Sequence, residues 1–94
     1  MKVKRYQNVF DALEDDPAVA QNLKIRSQLM SALTQYINKN KLTQVEAAQL
    51  FEVNQPRISD LVRGKIERFT IDMLVNMLAR AGKHLNVKIS SQAA

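Results

Sequence analysis

The chain has no cysteine, no tryptophan, only two glycines and two prolines, and aromatic residues at just 5% of its 94 positions. Each shortage excludes something. Without cysteine there are neither disulfides nor thiolate metal sites, and the composition is compatible with a reducing compartment. Two glycines cannot build a glycine-rich phosphate loop. The single histidine, His84, has no paired carboxylate at ligand spacing, so it reads as a structural or exposed residue rather than a metal ligand. "LEDD" lacks the spacing of a calcium loop. No uninterrupted apolar run approaches the roughly 20 residues of a membrane-spanning helix. The opening "MKVKRYQNVF" is basic but lacks the apolar segment of a secretory signal. No nucleophile and base fall into a catalytic arrangement. These absences point away from an enzyme and from a bound cofactor, and toward a soluble cytoplasmic protein.

What is present suits one small domain. Hydrophobic residues make up 46% and charged residues 24%, an ordinary globular balance. With few aromatics the core has to come from Leu, Ile, Val, Met and Ala, which favours packed helices. Fourteen Lys and Arg outweigh nine Asp and Glu, giving a net charge of +5. The distribution is uneven. Asp11, Glu14, Asp15 and Asp16 crowd before Pro17, whereas Arg57, Arg63, Lys65 and Arg68 outnumber Asp60 and Glu67 between positions 57 and 68. A local basic stripe is an electrostatic footprint for phosphates, although a solvated charged face has the same composition.

Periodicity supplies the elements. Asp16 as a cap and Pro17 in the first turn predict the start of a long helix, roughly 16–39. Val19, Leu23, Met30, Leu33 and Ile37 form its apolar stripe, widened by Leu29 and Tyr36. Thr43 and Glu46 form a capping-box pattern that opens a short helix over about 43–51. Asn54 then caps a third helix over about 55–63, with Pro56 in a first turn that needs no amide donor there. Thr70 caps a fourth helix whose inner face is Ile71, Leu74, Val75, Leu78 and Ala81, and Gly64 and Gly82 act as stops. Met30, Met73 and Met77 sit at core spacing. "HLNVKIS" differs in kind: Leu85, Val87 and Ile89 alternate with Asn86 and Lys88, the period of a strand. A lone strand needs a partner, either the "VKRY" near the amino terminus, a second copy of the chain, or another protein's edge.

Two short helices joined by about three residues form a helix-turn-helix candidate, with motif bounds 43–63 inside a helical domain of 16–82. Residues 1–15 precede it as an arm with a short lead-in, and 83–94 follow as strand and tail. Ala48 is small where the two helices cross, and Phe51, Val53, Ile58 and Leu61 are apolar where the pair meets the core. At about 100° per residue, Ile58, Leu61 and Val62 turn inward, while Pro56, Ser59, Asp60 and Arg63 turn outward and Arg57 lies on the flank. The first residues of a helix in the major groove reach base edges, so Gln55 suits adenine, Arg57 suits guanine and Pro56 suits a thymine methyl. Asp60, three residues from both Arg57 and Arg63, is placed to orient them.

"LTQVEAAQLFEVNQPRISDLVRGK", followed by "FTIDMLVNMLARAG", resembles the Cro/phage-repressor helix-turn-helix family, also called the XRE family. More narrowly it is similar to the stand-alone antitoxins of the HigA type, including the lead-in "NVFDALED". The resemblance covers about 17–90 and is strong over 42–82. It implies a mainly α, lambda-repressor-like helical bundle, here with one carboxy-terminal β-strand used for dimer or partner pairing through Leu85, Val87 and Ile89. It also implies base reading by Gln55, Arg57, Ser59 and Asp60, with phosphate contacts from Gln44, Asn54, Arg63 and Lys65. Family members bind palindromic operators on double-stranded DNA as homodimers and repress transcription, often of their own operon. The expected location is the bacterial cytoplasm, associated with the nucleoid, and the antitoxin members of the family also neutralise a co-encoded toxin protein. A free-standing or phage-type regulator is the alternative within this class. A protein-interaction module that does not bind DNA is the alternative outside it. One position departs from the family: Glu52 stands where the turn often has glycine, and a left-handed glutamate there costs on the order of 1 kcal/mol.

Overall fold

In a computed structural model, residues 16–91 are described. They form four α-helices: α1 Pro17–Lys39, α2 Gln44–Phe51, α3 Gln55–Val62 and α4 Ile71–Arg80, with a 3-10 turn at Ile66–Arg68 between the last two. Every helix start carries the side-chain cap its sequence calls for. Asp16 Oδ1 accepts the Ala18 amide at 2.9 Å. Thr43 and Glu46 complete a reciprocal capping box at 3.1 and 2.8 Å. Asn54 Oδ1 accepts the Arg57 amide at 2.8 Å, and Thr70 Oγ1 the Met73 amide at 3.1 Å. Each such cap contributes about 1 kcal/mol, which matters for helices of two turns. At the far ends, Gly64 and Gly82 adopt φ of +72° and +78°, a region that glycine enters without strain.

The core is one cluster to which all four helices contribute: Leu29, Met30, Leu33 and Ile37 from α1, Ala47, Ala48 and Phe51 from α2, Ile58 and Leu61 from α3, and Leu74, Met77 and Leu78 from α4. Phe69 joins it from the segment before α4. Burial of each large side chain contributes about 1.5–3 kcal/mol. α4 packs chiefly along α1, while α2 bridges α3 and α4. Both Ala47 and Ala48 are buried, so two small residues line this face of α2. Val19 departs from expectation and is exposed, because the first turns of α1 run past the cluster, whose packed fringe begins at Ile25. No helix among the described residues is long and apolar enough to cross a membrane.

The carboxy-terminal segment also corrects the sequence reading. No strand is present among the described residues, and 83–91 carry no regular structure. Leu85 is half-buried and packs against the core, whereas Val87 and Ile89 are 76% and 88% exposed. The alternation is there, but alternation only prepares a face. A strand also needs a neighbour to accept its backbone hydrogen bonds, and no strand neighbour is present among the described residues. The "VKRY" considered as that neighbour, like the rest of residues 1–15, lies outside the described residues.

Candidate nucleic-acid interface

The turn between α2 and α3 begins at Glu52, which takes the left-handed conformation (φ 59°, ψ 47°) with its amide donating to the Ala48 carbonyl. The geometry normally given by glycine is therefore kept, at a cost on the order of 1 kcal/mol. Glu52 Oε2 lies 3.4 Å from Arg80 Nε at the end of α4, so its charge is directed to that helix. Both side chains are more than half exposed, and such a pair contributes well under about 1 kcal/mol.

Ile58 and Leu61, both essentially inaccessible, fix which side of α3 faces the core. Val62 corrects the sequence reading here: it is 41% exposed instead of inward. It is the last residue of the helix and lies past the reach of the cluster. With Met30 and Ile66 it lines a shallow groove alongside α1. At the other end of the helix, the amino-terminal residues of α3 meet the start of α2. Gln44, Gln55, Pro56 and Ser59 border one open depression. Two amides, a hydroxyl and a proline ring thus share one surface at the mouth of the motif, the donor, acceptor and apolar set that base edges require.

The expected phosphate residues surround this surface in different states. Gln44 is the exposed first residue of α2. Asn54 is exposed, but its Oδ1 is already engaged in capping α3, which leaves the amide NH2 to donate. Arg63 caps the carboxy end of α3 and is exposed, whereas Lys65 is half-buried.

Two side chains behave differently from the expectation. Arg57 turns back toward the body of the protein: its Nη1 donates to the Arg68 carbonyl at 2.8 Å, and its guanidinium stands 5.5 Å from the Phe69 ring centre. Asp60 forms its ion pair with Arg68, at 3.5 Å, rather than with the Arg57 and Arg63 it was expected to orient. Spacing along α3 suggested those partners, but the 3-10 turn folds Arg68 back over the helix and supplies a nearer cation.

Sequence reasoning missed Arg26 and Phe69. Arg26 Nη1 donates to the carbonyls of Ile66 and Phe69, both at 3.2 Å, and so ties α1 to the turn after α3. Nothing local to position 26 announces a partner some forty residues away. Phe69 did carry a signal, since it precedes the Thr70 cap and stands five residues before the buried Leu74, the spacing of a hydrophobic staple.

With a capped short helix, a tight left-handed turn and a second capped helix whose outer face is polar, the fold defines a helix-turn-helix protein. A family model described as a helix-turn-helix domain matches residues 12–90, and the chain belongs to that family. A solved structure named for the XRE family of transcriptional regulators superposes with a TM-score of 0.72 at 27% sequence identity, covering 78% of this chain and 82% of that one. The chain is thus a helix-turn-helix protein of the XRE type. No curated protein matches it.

Proposed function

We propose that the protein is a DNA-binding transcriptional regulator that inserts the start of α3 into the major groove. The observation that carries this is the shared surface of Gln44, Gln55, Pro56 and Ser59, held outward by the burial of Ile58 and Leu61 on the other side of the helix. Gln55 and Ser59 read base edges, and Pro56 contacts a methyl group. Gln44, the Asn54 amide, Arg63 and Lys65 hold phosphates around them. Arg57 and Asp60, placed by the resemblance among the base readers, lie on the flank of the same surface with their side chains toward Arg68 and Phe69. The similarity to an XRE family regulator supports the same activity.

One helix reads one half-site, so the regulator acts as a homodimer on a palindromic operator and represses by occupying it. The exposed, alternating segment with Val87 and Ile89 supports pairing with a second chain or with a protein partner. The resemblance to HigA-type antitoxins supports a co-encoded toxin as that partner and the protein's own operon as its target. The residue bounds follow the same division, with an arm at 1–15, the helical domain at 16–82 and a pairing segment at 83–94. A titration against the DNA upstream of its own gene, at two salt concentrations, tests the core of the proposal. Salt-sensitive binding that exceeds binding to random DNA is expected. Tight binding to a protein with no salt-dependent binding to DNA would favour an interaction module instead.

A further inference from the structure

Phe69 is 1% exposed although it belongs to no helix, and the carbonyls around it are held by arginines from two different helices. Arg26 of α1 takes those of Ile66 and Phe69, with its own Nε set 2.6 Å from Asn22 Oδ1. Arg57 of α3 takes that of Arg68 and lays its guanidinium over the Phe69 ring. The side chain of Arg68 returns to α3 through Asp60. Thus α3 is fastened to the 66–69 turn at two points one helical turn apart, and Arg26 fastens that turn to α1.

We infer that Arg57 is a positioning residue: it sets the angle at which α3 presents Gln55, Pro56 and Ser59, and these make the base discrimination. The inference rests on the DNA-reading function proposed above. A guanidinium stacks through its face and donates in its plane, so the ring contact and the carbonyl bond use different parts of the group and hold together. To reach a guanine edge Arg57 has to give up both. Gln55 and Ser59 carry no such ties, and they already border the open surface.

The test compares the full chain with Arg57→Ala and Gln55→Ala on the upstream operator and on single-base-pair variants of it, at a temperature where circular dichroism shows each protein folded. Arg57→Ala is expected to bind the operator about tenfold or more weakly, with base preference intact at every position and the salt slope unchanged, while Gln55→Ala loses preference at one position. Loss of preference at a single base pair by Arg57→Ala would overturn the inference in favour of direct reading. A salt slope lower by about one would overturn it in favour of a phosphate contact. Unchanged affinity would leave only a packing role and overturn it as well. A DNA-free arm separates this from failure of the functional reading. In nitrogen-15 NMR of the free protein, the Arg57 Nε–H resonance should be shifted by the Phe69 ring and return toward random-coil values in Phe69→Leu. The amides of 55–59 should move in Arg57→Ala. A freely averaging Arg57 signal overturns the inference whether or not DNA binds. Wild-type protein that binds no DNA, with the Arg57 shift present, overturns only the function.

Discussion

The α2–α3 unit and the segment 83–91 both carry clear periodic patterns, and only one of them becomes regular structure in the chain. In α2 and α3 every interior backbone hydrogen bond closes within the helix, and the caps at Thr43 and Asn54 satisfy the ends. The apolar stripes of the two helices then meet α1 and α4 in one cluster. In 83–91 the alternation of Leu85, Val87 and Ile89 prepares a face, but the hydrogen bonds must come from elsewhere. A helix is a local solution and a strand is a shared one. That difference separates the part of the described chain that is regular from the part that is not.

The sharpest way to break the comparison is to damage each region equally. Ile58→Ala or Phe51→Ala, at fully buried sites, should cost about 2–5 kcal/mol and largely unfold so small a domain, as read by a thermal melt followed by circular dichroism. Val87→Ala should leave the melt of the isolated monomer unchanged, because the side chain is exposed. A Val87→Ala monomer that melts as poorly as Ile58→Ala would show that the segment is folded into the domain after all.

Next in size is the loss of association. Truncation after Leu85 keeps the hydrophobic residue of the segment that packs against the core. It should yield a folded monomer with about tenfold or greater loss of operator affinity, measured by light scattering on a sizing column and by titration. A truncated protein that stays dimeric places the interface elsewhere.

Smaller effects test the motif itself. Asn54→Ala removes the cap of α3 and should cost about 1 kcal/mol, which lowers the melting temperature by roughly 4–8 °C. Glu52→Gly relieves the left-handed backbone but gives up the exposed pair with Arg80, so it should stabilise by at most about 1 kcal/mol. A destabilised Glu52→Gly would mean that the Arg80 contact, and not the backbone, dominates at that turn.

How much was legible follows the same division between local and shared. Caps, stops and the burial of Ile58 and Leu61 are written in neighbouring residues, and the helix bounds follow from them. The exposure of Val62 is not, because it depends on where the cluster ends rather than on angle around the helix. The partners of Arg57, Asp60 and Arg26 lie in the 66–69 turn, an irregular segment whose carbonyl directions no periodicity encodes. Candidate readers were therefore found by position on α3, and the distinction between a free side chain such as Gln55 and a tethered one such as Arg57 emerged only from the three-dimensional packing.

DNA reading by α3 is tested most directly by titrating the full chain, Gln55→Ala and Lys65→Ala against the DNA upstream of the gene at two salt concentrations, with random DNA as reference. Gln55→Ala should lose the preference for one base pair while keeping the salt slope. Lys65→Ala should bind every sequence more weakly and lower the slope by about one. Equal losses on operator and random DNA for Gln55→Ala, or binding indifferent to salt in all three proteins, would contradict it.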